Sequence, residues 1–92
     1  MNKQELIEAI AQKRHINKPV LEMACDDIFA AIVEAVAAGK TVEVPEFGIF
    51  YRSEQHLSRT RVPSTKKIPV FSPNASFRMA VRDSETEVKN DL

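Results

Sequence analysis

The sequence predicts an α+β fold: two N-terminal helices, a three-stranded antiparallel sheet with a short β-ribbon arm, and a short C-terminal helix. Three observations predict it. Up to Gly39, apolar residues recur at helical spacing. From Thr41 the period drops to two. A polar, basic stretch at 52–67 then separates two short strand-like runs.

The first helix opens at Asn2, whose side chain can cap it, with Glu5 three residues on. Leu6, Ile7, Ile10 and Ala11 form one face, and the helix should end near Arg14–His15. Asn17 can cap a second helix with Pro19 in its first turn, where a missing N–H does no harm. Leu21, Ala24, Cys25, Ile28, Ile32, Ala35 and Val36 line a stripe with Phe29 and Val33 beside it. That stripe is wide enough for packing on more than one side. Gly39 ends the helix. Val42 and Val44 alternate with Thr41 and Glu43 as a strand, Pro45 and Gly48 punctuate the next stretch, and Ile49–Tyr51 resume a strand. Ile68–Phe71 reads as a short return strand, with Pro69 marking an edge or an end. Ser72-Pro73 is the expected opening of a third helix, with Phe77, Ala80 and Val81 facing inward. Residues 83–92 are expected to be a flexible acidic tail, outside a single domain at 1–82.

A chain of 92 residues has room for one domain and a modest core. Two helices cannot fully cover a sheet whose inner face carries Phe47, Phe50 and Phe71; a second copy could. The single cysteine excludes an internal disulfide framework and suits a reducing cytoplasm. Lys3, Glu5 and Glu8 interrupt the N-terminal apolar pattern, unlike a signal peptide, and no apolar run approaches the ~18 residues of a membrane span.

Charge distribution says more than its sum. The net charge is zero, yet residues 1–50 carry 5 Lys/Arg and 8 Asp/Glu, residues 51–82 carry 7 and 1, and residues 83–92 carry 1 and 4. The basic block, set here between two acidic flanks, is what contact with a polyanion requires.

In order and spacing, Met1-Asn2-Lys3-Gln4-Glu5-Leu6-Ile7, Ala38-Gly39-Lys40, Val44-Pro45-Glu46-Phe47-Gly48-Ile49-Phe50 and Val70-Phe71-Ser72-Pro73 resemble the HU and integration-host-factor family. The resemblance covers roughly residues 1–82. It implies an intertwined homodimer, or a heterodimer with a related subunit, whose two arms wrap the minor groove of duplex DNA. It also implies a soluble, cytoplasmic, nucleoid-associated protein without cofactor or small-molecule substrate. Members of this family insert apolar wedges between base steps. The wedge proline has its nearest match in Arg61-Val62-Pro63.

Two departures from the family pattern stand out. The segment between Phe50 and Phe71 is shorter, so each arm strand would lose about four residues, roughly 13 Å at ~3.3 Å per residue. If Phe50 pairs with Phe71, the hairpin midpoint falls between Thr60 and Arg61, and Pro63 sits on the returning strand. In addition, Glu46 stands where the family has glycine, adding negative charge near the expected phosphate path.

The candidate DNA contacts are Arg52, Arg59, Arg61, Pro63, Lys66 and Lys67 on the arm, Arg78 and Arg82 on the last helix, and Lys3 in the first turn of the first helix; Lys18 is a weaker candidate. Phe29, Phe47, Phe50 and Phe71 are the candidate dimer core. Catalysis is not expected. Cys25 lies in an apolar stripe, and His15 and His56, in expected loops, make neither a metal spacing nor a triad signature. The rival reading is a regulatory subunit that pairs with other proteins and binds DNA weakly or not at all.

Overall fold

A computed structural model describes the backbone of residues 1–57 and 64–90 and the side chains of residues 1–55 and 65–84. Its elements are α1 (Lys3–Arg14), α2 (Lys18–Ala37), β1 (Val42–Val44), β2 (Gly48–Leu57), β3 (Ser64–Pro73) and α3 (Ala75–Asn90). They fall into two compact units, Met1–Val33 and Glu34–Leu92.

The first unit holds α1 and most of α2. Asn2 caps α1 as its sequence predicts: Oδ1 accepts from the Glu5 amide at 2.9 Å. His15 closes the helix in the left-handed region, at φ 54°. Asn17 Oδ1 accepts from the Val20 amide at 3.4 Å and starts α2. An ion pair between Lys3 and Asp26, and a hydrogen bond from Gln4 Nε2 to Glu22 Oε1 at 3.2 Å, tie α1 to α2. Ile7 is buried, at 2% exposure, whereas Ile28 at 58%, Phe29 at 53% and Val33 at 67% leave the α2 stripe open.

The second unit begins with the end of α2. The Lys40 amide donates to the Ala35 carbonyl and the Gly39 amide to the Val36 carbonyl, a Schellman closure with Gly39 at φ 85°. The sheet order is β1-β2-β3, antiparallel throughout. Val44 to Phe47 make the β1–β2 turn, closed by the Phe47 amide on the Val44 carbonyl at 3.1 Å. Pro45 precedes a residue with positive φ, Glu46 at 63°, as a type II turn demands. Phe50 pairs with Phe71, and the same register continues without a bulge to Leu57 opposite Ser64. Pro69 lies on β3, an edge strand, where its missing N–H costs no ladder bond.

Four boundaries differ from expectation, the first being β2, which runs past Tyr51 to Leu57 and so holds His56 in a strand and not in a loop. β3 is ten residues, not four, because the polar segment around Lys66 and Lys67 pairs fully with β2. The third helix is capped by Asn74, not Ser72: Asn74 Oδ1 accepts from the Phe77 amide at 3.1 Å, while Ser72 pairs with Ile49 in the sheet. Finally, α3 does not stop near residue 82 but continues to Asn90. No proline or glycine follows Pro73, and Glu85, Glu87 and Lys89 are good helix formers, so nothing local ends the helix where the acidic tail was expected.

Candidate nucleic-acid interface

The aromatic cluster fixes which way the sheet faces. Phe47, Phe50, Phe71 and Phe77 have neighbouring ring centroids 4.7–6.3 Å apart, all tilted. Gly48 makes this possible: a Cβ there would lie 2.6 Å from Phe71 Cε1 and 2.6 Å from the Ser72 carbonyl oxygen. The Asn74 amide donates to the Phe47 carbonyl at 3.0 Å, locking the β1–β2 turn to the start of α3. Phe77, expected to face inward, joins the cluster as a fourth ring.

Side chains alternate across a strand, so the pleat sorts the basic candidates. The register Phe50↔Phe71, Arg52↔Pro69 and Glu54↔Lys67 puts Arg52 and Lys67 on the face of the aromatic cluster. Tyr51↔Val70, Ser53↔Ile68 and Gln55↔Lys66 make the opposite face. Adjacent Lys66 and Lys67 therefore point to opposite sides, both exposed. Arg52 does not extend outward. Its Nη1 donates to the Ala37 carbonyl at 2.9 Å, and its Nη2 meets Glu54 Oε1 at 3.2 Å.

On α3, Arg78 and Arg82 are exposed and share a face at four-residue spacing. In the Met1–Val33 unit, Lys18 is exposed at the first position of α2. Lys3 is engaged by Asp26, and that hydrogen bond, ahead of any other influence, raises its pKa above the ordinary 10.5. Arg59, Arg61 and Pro63 lie outside the described residues. Cys25 is half-buried in α2, and no cluster of metal-ligating side chains occurs among the described residues. Nor is any helix among them long and apolar enough to cross a membrane.

Sequence reasoning missed the partners of Arg52. Glu54, two residues on and on the same face, was a readable signal. The Ala37 carbonyl was not, because a backbone acceptor has no side-chain signature.

Comparisons with known proteins agree with this geometry. The family model described as "Bacterial DNA-binding protein" matches residues 1–82. The DNA-binding protein HU of Geobacillus stearothermophilus is 33% identical over 90 residues, covering 89% of this chain and 100% of the relative. The HU-beta protein of Neisseria meningitidis is 43% identical over 65 residues, 71% of this chain and 73% of the relative. Among solved structures, a point mutant of HU from Thermotoga maritima superposes with a TM-score of 0.72 at 31% identity, covering 88% of this chain and 99% of that one. A cocrystal structure of Anabaena HU with DNA gives 0.71 at 29% identity, covering 88% and 97%. With its fold, its aromatic cluster and its basic ribbon in place, the chain belongs to the bacterial DNA-binding protein family that includes HU.

Proposed function

We propose that this chain is a DNA-architectural protein that works as an intertwined dimer, holding duplex DNA between two β2–β3 ribbons with little sequence preference and modest bending. One observation carries the reading: β2 and β3, ten residues each in one unbroken register, form a two-stranded ribbon inside the segment that holds the chain's basic block. A ribbon of this kind can enter a groove, and its cations neutralise phosphates and release counterions.

The dimer follows from what one copy leaves open. Among the described residues only Ile7 and Val36 are buried hydrophobics, while Phe29, Phe47 and Phe71 stay exposed. A second copy covers these faces and completes the core. The partner is a homodimeric mate, with a related subunit as the other occupant. Duplex DNA is met by Lys66, Lys67, Arg59 and Arg61 of the ribbon, by Arg78 and Arg82 of α3, and by Lys3 where Asp26 yields it. The protein belongs with the nucleoid in the cytoplasm, and its function needs no cofactor and no catalytic step.

An arm shorter than the family's is part of this proposal, and modest bending follows from it. The alignment with the Geobacillus relative spans 90 residues of that protein, but 89% of this 92-residue chain is about 82 residues. About eight positions of the relative thus have no counterpart here. A shorter ribbon reaches less far around the duplex, and in sequence Pro63 falls after the midpoint between Thr60 and Arg61 that the Phe50↔Phe71 pairing sets.

A gel shift with the purified protein and a mixed-sequence duplex at low salt tests the binding. The expected result is a shift whose affinity falls log-linearly with salt. A folded dimer that gives no shift at low salt refutes this reading and leaves the pairing subunit in its place. Energy transfer between duplex ends tests the bending: Pro63→Ala should change it little, and a sharp bend abolished by that substitution would put the proline at the tip.

A further inference from the structure

We propose that Arg52 is a positioning residue that pins the base of the β2–β3 ribbon to the C-terminal end of α2, and is not itself a DNA contact. The last four carbonyls of a helix have no partner within it. The Schellman closure satisfies the Ala35 and Val36 carbonyls, and the Ala38 amide takes that of Glu34. The Ala37 carbonyl is then met by Arg52 Nη1 at 2.9 Å, from a strand 15 residues further along the chain.

Charge reinforces the bond. The C-terminal end of a helix is partially negative and favours a cation. The last turn of α2 holds no basic residue, so Arg52 supplies that cation from the sheet. Glu54 Oε1, at 3.2 Å from Nη2, holds the other side of the guanidinium fork. Gly39 makes the space: a Cβ there would lie 3.1 Å from Nη2 and 3.4 Å from Cζ. The Arg52 side chain is only 25% exposed. A planar fork, a helix end, a carboxylate and a glycine thus meet at one point, on the aromatic face of the sheet where the ribbon leaves the body of its unit. The direction in which the ribbon leaves is set there.

The proposal rests on DNA binding for one arm of its test only. Arg52→Met removes the charge and keeps most of the stem; Arg52→Lys keeps the charge and loses the fork. In the free protein, amide exchange at residues 52–54 and at Lys67 and Ile68 should quicken roughly tenfold in both variants, the size of losing one charged hydrogen bond. Glu54→Gln should quicken it in the same direction. With duplex DNA, Arg52→Met should lower affinity by the same factor at every salt concentration, giving parallel lines. A phosphate contact would instead flatten the salt slope by about 0.9 for each arginine, or about two per dimer. Wild-type exchange in Arg52→Lys, or a flattened slope in Arg52→Met, overturns the proposal. Should Arg52→Met fail to fold, Arg52→Lys carries both readouts: a contact role predicts wild-type exchange and near wild-type affinity, a positioning role loss of both. Absence of DNA binding by the wild type would count against the functional reading alone, since the exchange arm needs no DNA.

Discussion

Truncation of Phe47 measures how much of the core belongs to the second copy. Its ring lies 5.1 Å from Phe71, 5.3 Å from Phe77 and 6.3 Å from Phe50, yet it is 42% exposed in one copy. Removing a fully buried phenylalanine costs ~3–5 kcal/mol. A ring left about two-fifths in water would lose proportionately less, roughly 2–3 kcal/mol on the same scale. If a partner covers the exposed part, Phe47→Ala should cost the full value in each copy, or roughly 6–10 kcal/mol per dimer. That is comparable with the ~5–15 kcal/mol that stabilises a whole small protein. Unfolding and dissociation should therefore merge into one transition. Urea denaturation at two protein concentrations, read beside sedimentation, decides it. The wild type should melt later when more concentrated, and the variant should be largely unfolded monomer at micromolar concentration. A variant that sediments as a folded dimer and loses less than ~2 kcal/mol per copy would refute the shared core.

The remaining predictions concern the turn, the close approach beneath Phe71 and the acidic end. Glu46→Gly should stabilise by about 0.5 kcal/mol, since the left-handed φ of 63° costs ~1 kcal/mol that glycine escapes, less its greater freedom when unfolded; a raised thermal midpoint checks this. Gly48→Ala should destabilise each copy by ~1–3 kcal/mol, because the new Cβ meets both the Phe71 ring and the Ser72 carbonyl; an unchanged urea midpoint would contradict it. Asp83→Asn, Glu85→Gln and Glu87→Gln together raise the charge of each copy by three without shortening α3. If these acids screen the basic surface, the triple variant should bind DNA more tightly at low salt and show a steeper salt slope; superimposable titrations would leave the acidic end with no part in binding.

How much of this was legible in the sequence depends on whether a feature is local. Asn2, Asn17 and Gly39 signalled their helix ends because caps act within a few residues. The change of period at Thr41 announced the sheet, and the pairing of Phe50 with Phe71 set the register seen all along the ribbon. Ser72 was the expected start of the third helix. Asn74 caps it instead, because Ser72 is needed opposite Ile49, a pairing that no local pattern states. The end of α3 was misread for the opposite reason: an acidic composition suggested a loose tail, while helix propensity, which tolerates Glu and Lys, decided the backbone.

The candidate site was legible in its charge and not in its geometry. Charge alone ranks Arg52, Lys66 and Lys67 together. The pleat separates them, because a strand turns each successive residue to the other side. Period two then assigns Arg52 to the aromatic face, but it cannot say what the guanidinium meets there. That depends on a helix ending beside the strand with a carbonyl to spare, no cation of its own, and a glycine that leaves room. Two of the three are visible in the sequence separately, a last turn without Lys or Arg and Gly39, while the spare carbonyl of Ala37 is not. Only the fold brings them to one arginine. A basic residue in a ribbon is thus a DNA contact by default only when no helix end within reach has a stronger claim on it, and here the end of α2 has that claim.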